Sequence, residues 1–159
     1  MAEEFGPSTR RVRDALHALG LDCPVVELDR SARTAAEAAA ALGCRVDQIA
    51  KSLVFRLRDS GRALLVITSG ANRVDERSVS ALLGEPLDKA DATFVREHTG
   101  FAIGGVAPVG LARPLTTLID EDLVKWPDIW AAAGHPKMVF RLAPTDLVRV
   151  TGGRVTAVK

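Results

Sequence analysis

Two stretches of the chain could do chemistry without any familiar set of catalytic side chains. Lys51 stands between the helical turn "VDQIA" and the apolar run "SLVFRL". A lysine at a helix-to-strand junction lies at the end of a sheet, where ligand crevices form. The same residue also suits a solvated cation closing a helix C-terminus, and spacing alone leaves both open. Residues 100–110, "GFAIGGVAPVG", hold four glycines and one proline. Glycine serves where backbone turns sharply or comes close to a ligand. One reading is a bulged turn between strands. The other is a loop pinned against the core by Ile103, Val106 and Val109. Its N–H groups would then point in fixed directions and could hold a carbonyl oxygen or a water. A dinucleotide loop does not fit, because Pro108 and Pro114 break any helix that should follow it.

The remaining reactive residues are scattered. HExxH, GxSxG and Walker signatures are missing, and His17, His98 and His135 have no metal-ligand spacing. No metal and no cofactor are expected. Cys23 and Cys44 form no CxxC and read as buried, inert thiols. Trp126 and Trp130 are at helical spacing and read as core or a docking patch. The 159 residues and 47% hydrophobic content suit one globular domain. With a net charge of +1, there is no global field to attract nucleic acid, so such a partner must be held by a local patch. Arg10, Arg11 and Arg13 make one small basic cluster. The start, "MAEEFGPSTR", lacks an apolar h-region and no apolar run has membrane-spanning length, so a soluble, cytoplasmic protein is expected.

These residues need a scaffold, and punctuation along the chain outlines one. Pro7–Leu19 reads as a helix capped by Ser8 and stopped by Gly20, within an N-terminal segment 1–20. "CPVVEL" reads as a strand. "SARTAAEAAAALGC" is a second helix, with Thr34 and Glu37 at capping-box spacing and Gly43 as its stop. A short helical turn over Arg45–Ala50 follows. "KSLVFRL" and "RALLVIT", separated by "RDSG", predict a hairpin. "VDERSVSALLG" and "DATFVREHTG" predict helices closed by Gly84 and Gly100. Then come a strand "LTTLI", an acidic turn "DED", a helical turn "PDIWAAAG", a strand "KMVFRL", a helix "PTDLVRVTGG" and a strand "RVTAV". Alternating strands and helices with at least one hairpin predict an α/β (α+β) fold with a mixed sheet and helices packed on it.

Taken together and in order, "QIAKSLVFRL", "LLVITSGANRVD", "GFAIGGVAPVGL" and "AGHPKMVFRLAPTDLVRVTGG" resemble the YbaK/prolyl-tRNA synthetase-associated editing domain family, over roughly residues 20–152. The resemblance implies a single domain 1–159 with a barrel-like mixed sheet of about six or seven strands. It implies a freestanding deacylase acting in trans on mischarged tRNA, such as Cys-tRNA(Pro) or another tRNA carrying a wrong small amino acid, with a synthetase as a further possible partner. It also implies substrate-assisted ester hydrolysis, in which the protein orients the ester and stabilises the oxyanion. Lys51 matches the family lysine and is assigned to the terminal nucleotide's phosphate or ribose. Gly104, Gly105 and Pro108 match the GxxxP loop that would orient the carbonyl and the water. Gly134, His135 and Pro136 match a late loop lining the aminoacyl pocket. Ser69, Gly70 and Asn72 fall at the rim. The alternative is a non-catalytic module that binds a tRNA end or docks a synthetase.

Overall fold

Helix α1 (Pro7–Ala18) starts on Pro7, with Gly6 as N-cap and no capping side chain, so Ser8 does not take the capping role expected of it. Proline suits the first helical position because its missing N–H would be unpaired there anyway. Val12 and Leu16, one turn apart, are 0% and 1% exposed and fasten this helix to the core; burying each is worth about 1.5–3 kcal/mol. The computed structural model describes residues 5–30 and 32–159, so the start of the expected 1–20 segment and Ser31 lie outside the described residues.

Strand β1 (Val25–Glu27) leads to α2 (Ala35–Leu42). The Thr34 hydroxyl caps α2 by accepting from the Glu37 amide at 3.1 Å, and Gly43 in the left-handed region stops it. A 3-10 turn (Val46–Gln48) delivers the chain into β2 (Ile49–Leu57), which forms the expected hairpin with β3 (Ala63–Ser69). Next come α3 (Glu76–Leu83), β4 (Leu87–Lys89), α4 (Ala92–Thr99) and β5 (Thr116–Asp120). A 3-10 turn (Glu121–Leu123), β6 (Ile129–His135), β7 (Met138–Leu142), α5 (Pro144–Thr151) and β8 (Arg154–Thr156) complete the chain.

The eight strands form one mixed sheet in the order β1-β7-β6-β2-β3-β5-β8, with β4 as an extra partner of β2. The β2–β6, β3–β5 and β5–β8 pairs are parallel and the rest antiparallel. Among the described residues no pairing joins β1 to β8, so the hydrogen-bonded path does not close. Alternation along β2 and β3 divides the core in two. Ala50, Leu65 and Ile67 pack with α1, Val95 of α4 and the glycine stretch, whereas Phe55, Leu57, Leu64 and Val66 pack with Val79 and Leu87. Helix α2 packs over Ile49.

Three expectations are corrected. "PDIWAAAG" is not a helical turn but most of β6, and Ile129, Ala131 and Ala133 are buried in strand alternation. Alanine favours helix, but this segment lies between β7 and β2, and sheet pairing overrides that weak preference. Trp126 and Trp130 therefore share no helix: Trp130 is on β6 and Trp126 is in the connection before it. Strand β4 carried no sequence signal beyond a single Leu-Asp-Lys. Cys23 and Cys44 are free but only partly buried, and burial pushes both thiols up from their ordinary value.

Candidate active site

The sheet is split beside β2. On one edge β2 pairs with β3 from Ala50 to Arg56. On the other, β6 pairs only with Ile49 and Ala50, and β4 only with Phe55, Arg56 and Leu57. The four residues between, Lys51 to Val54, have no strand beside them on that edge. Peptide groups alternate in direction along a strand, so part of this stretch turns its N–H and C=O groups into the gap. A cleft of about 480 Å³ occupies the gap. Ala35 and Ala38 wall it on the α2 side, Ala131 and Ala132 on the β6 side, and Val95 and Val106 on the far side. Lys51, Arg33 and Lys89 are its cations, and among the described residues no imidazole or carboxylate lines it.

The glycine stretch borders this cleft through Ile103, Gly104 and Val106. Pinning is partial. Val106 and Val109 are buried at 6% and 4% exposure, with Pro108 also buried, but Ile103 is 57% exposed at the mouth, contrary to the expectation that it anchors the loop. Gly104 has φ +92°, a conformation that suits glycine. The Gly105 amide donates to the Ala102 carbonyl at 3.0 Å and closes a turn. It is therefore engaged, while the amides of Ile103 and Gly104 find no acceptor among the described residues. A Cβ on Gly105 would lie 3.0 Å from the Gly134 carbonyl oxygen, so the loop is seated directly on the β6–β7 turn.

That turn divides the late motif. Pro136 lines the cleft. Gly134 and His135 line a separate cavity of about 360 Å³ with Phe5–Thr9, Lys137 and Met138. His135 is exposed, and its Nδ1 accepts from the Lys137 amide at 3.0 Å, which stabilises the turn. Gly134 has φ +87°, and a Cβ there would lie 2.8 Å from the Ser8 carbonyl carbon. Backbone packing thus occupies Gly134, and the structure does not bring it or His135 together with Lys51.

Ser69 and Asn72 belong to a network behind the lysine. Lys51 Nζ donates to the Asn72 carbonyl at 3.5 Å. The Asn72 amide nitrogen donates to Asp120 Oδ2 and Asp122 Oδ2, each at 2.8 Å. Asp120, 1% exposed, also accepts from Thr68 Oγ1 at 3.0 Å and from the amides of Ser69 and Asp122 at 2.9 Å. Ser69 Oγ donates to the Asp47 carbonyl at 2.9 Å. Lys125, Asn72 and Lys159 donate to Asp122 and hold its carboxyl well below the usual carboxylate range. Gly70 does not line the cleft; it is packed behind the wall, with a Cβ position only 2.6 Å from Ala35 Cβ and the Val46 carbonyl oxygen. Sequence reading noticed "DED" only as an acidic turn; that Asp120 ties down the end of β3 follows from the β3–β5 pairing, which no local pattern announces. Arg33 and Lys89 were missed for the same reason, because α2 and β4 meet the cleft only through the split sheet.

A family model described as the aminoacyl-tRNA editing domain matches residues 29–150. The chain belongs to the aminoacyl-tRNA editing domain family. It is thus an enzyme of the editing class, an aminoacyl-tRNA deacylase, as the sequence resemblance implied. A solved structure described as a candidate trans-editing enzyme for prolyl tRNA synthetase is 48% identical with a TM-score of 0.92, covering 98% of this chain and 99% of that one. A proline–tRNA ligase of Bacillus licheniformis is 37% identical over 120 residues, 75% of this chain but 20% of the ligase. EbsC of Enterococcus faecalis, named as a candidate Cys-tRNA(Pro)/Cys-tRNA(Cys) deacylase, is 25% identical over 122 residues, 76% of this chain and 74% of EbsC. No helix among the described residues is long and apolar enough to cross a membrane, and no cluster of three or more potential metal ligands occurs among them.

Proposed function

We propose that the chain acts in trans on tRNA for proline carrying a wrong small amino acid, cysteine first among them, and that the cleft beside Lys51 is where the ester is hydrolysed. The carrying observation is that Lys51 and Gly104 border one largely apolar cleft that has no general base among its described lining residues. The names of the trans-editing structure and of EbsC support this choice of tRNA and amino acid.

Chemistry in such a cleft must draw its proton transfers from the substrate. Water attacks the ester carbonyl carbon, the bond to the ribose oxygen breaks, and that oxygen leaves with a proton relayed through the neighbouring ribose hydroxyl. The amino acid departs as its carboxylate, and the second proton of the attacking water passes to solvent. Lys51 takes the terminal phosphate or ribose; a compact ammonium suits a phosphate as a point charge. The amides of Ile103 and Gly104, unengaged and on residues that line the cleft, are the donors assigned here to the developing oxyanion, and fixed backbone donors are effective in that role because they need no reorganisation. Gly105 and Pro108 hold that loop, and Pro136 closes the pocket wall. Gly134 and His135 support the turn, while Ser69 and Asn72 set the lysine. A second hydrolytic site is needed because a methylene is worth only about 1–3 kcal/mol in a binding pocket.

The missing base also suits a second reading, a module that binds a charged tRNA end or docks a synthetase without turnover. A panel of preformed Cys-, Ala- and Ser-tRNA(Pro), with cognate Pro-tRNA(Pro) as control, separates the two. Hydrolysis of at least one mischarged species above the background rate is expected. Binding without hydrolysis at any enzyme concentration would establish the module instead.

A further inference from the structure

Among the described residues, Ser52 is the one residue of the cleft whose side-chain polar atom is both buried and unpaired. Its Oγ is screened from solvent, and it is the sole buried side-chain polar atom without a hydrogen-bond partner among the described residues. Ser52 lines the cleft, and it lies opposite Ile67 on the face of β2 that carries Ala50 and Val54. That face packs toward Val95, Val106 and Ala131, whereas Lys51 is on the opposite face. A buried hydroxyl left unpaired is costly, and native structures rarely keep one without a reason.

We propose that Ser52 Oγ reads the side chain of the amino acid being removed, by hydrogen bonding to a hydroxyl or thiol on its β-carbon. The inference rests on the deacylase reading above, and depth decides the assignment. The nucleotide end carries phosphate and ribose hydroxyls and must stay near the cations and solvent at the mouth. A turn about the Ser52 Cα–Cβ bond brings the screened hydroxyl into the cleft its own residue lines, and the aminoacyl side chain is the part of the substrate that goes deep enough to meet it there. The walls around it are alanine and valine, which admit a small group but supply no polar partner. Serine and cysteine side chains satisfy the orphan hydroxyl. Alanine and 2-aminobutyrate leave it unpaired, and a site built around a hydrogen bond discriminates more strongly than one built on size alone.

The test is single-turnover deacylation of tRNA(Pro) charged with serine, cysteine, alanine or 2-aminobutyrate, by the wild type and by Ser52→Ala and Ser52→Cys. The serine to 2-aminobutyrate pair matches in size and differs in the polar atom. A wild-type preference for serine of about 5- to 100-fold is expected, the range that one unpaired buried group supports. Ser52→Ala should bring the ratio near one, chiefly by speeding the apolar substrates. Ser52→Cys, which keeps a weak donor, should fall between. Because a ratio of rates on one enzyme is read, partial loss of folded protein cancels. A preference unchanged in Ser52→Ala, or no wild-type preference at all, overturns the assignment while leaving the deacylase standing. Hydrolysis of none of the four, nor of any other mischarged tRNA, overturns both.

Discussion

Replacing Gly105 by alanine tests whether the glycine stretch sits beside the reacting ester. The added Cβ would lie 3.0 Å from the Gly134 carbonyl oxygen and 3.1 Å from both the Gly134 carbonyl carbon and His135 Cα. Ordinary contact begins near 3.4 Å, so relief requires the loop and the β6–β7 turn to separate by 0.3 to 0.4 Å. All three neighbours are backbone, and none can swing aside. Gly105 is not in the left-handed region, so the cost is crowding rather than backbone strain. Overpacking of this kind costs about 1–3 kcal/mol, which lowers the melting temperature by about 2–12 °C in a chain of this size. Misplacing a reacting group by about 1 Å costs roughly 100-fold in rate; scaled to 0.4 Å, a loss of about 5-fold is expected. The assay is single-turnover release of labelled amino acid from preformed mischarged tRNA(Pro), with thermal melting run in parallel. A variant that melts earlier yet deacylates at the wild-type rate would show that the ester lies elsewhere.

Lys51→Ala should lose most of the activity while keeping its circular dichroism spectrum, since the only hydrogen bond Lys51 Nζ makes among the described residues is a long one to the Asn72 carbonyl. If the lysine holds a phosphate, the slope of log(kcat/KM) against log salt should fall by about 0.7; an unchanged slope with lost activity moves Lys51 away from the phosphate. Gly104→Ala meets nothing nearer than Pro136 Cγ at 3.8 Å, so its cost is the φ of +92°, about 1–2 kcal/mol, read in the melt. Asp122 has its carboxyl lowered in the fold, so its contribution is full above the ordinary carboxylate range and is lost as pH falls through the depressed value. Melting profiles from pH 7 to 3 should therefore fall less steeply for Asp122→Asn than for the wild type, and parallel profiles would contradict the role given to Lys125, Asn72 and Lys159. Asp120→Asn turns one acceptor oxygen into a donor among four donating groups. It should cost at least about 1–3 kcal/mol and reduce the rate through Lys51; a variant as stable and active as the parent would remove Asp120 from the network.

Much of the scaffold was legible because its punctuation is local. Thr34, Gly43, Gly84, Gly100 and Gly152 mark helix ends by capping and by positive φ, and each acts where the sequence put it. The β2–β3 hairpin followed from two apolar runs around "RDSG". What failed was long-range. Alanine occupies both faces of β6, so "IWAAAGH" shows no alternation of apolar and polar residues, and only its neighbours in the sheet make it a strand. The site was legible in part for the same reason. Lys51 and Gly104 announce themselves by type and position, and they do border one cleft. His135 looked equally chemical, yet its ring supports a turn facing another cavity. Ser52 looked like nothing, because an unpaired hydroxyl exists only once everything around it has been placed.

If the ester is hydrolysed in the cleft proposed for it, the split beside β2 explains how a chain with so few reactive side chains can hold it. A closed sheet satisfies its own peptide groups and offers a ligand only side chains. Here β6 leaves β2 after Ala50 and β4 joins it at Phe55. The interval presents main-chain donors and acceptors in the middle of a sheet rather than at its rim. Unpaired strand edges usually invite other strands, but residues in and next to α2 and in the glycine stretch flank this one and narrow the approach to it. The rigidity of β2 is secured by seven opposed residues on β3, which keeps the gap at fixed width without any ligand. On the proposed reading, orientation and charge stabilisation come from backbone fixed by folding, and the side chains in the cleft are left to recognise the ends of the substrate: an ammonium for the nucleotide, a hydroxyl for the amino acid.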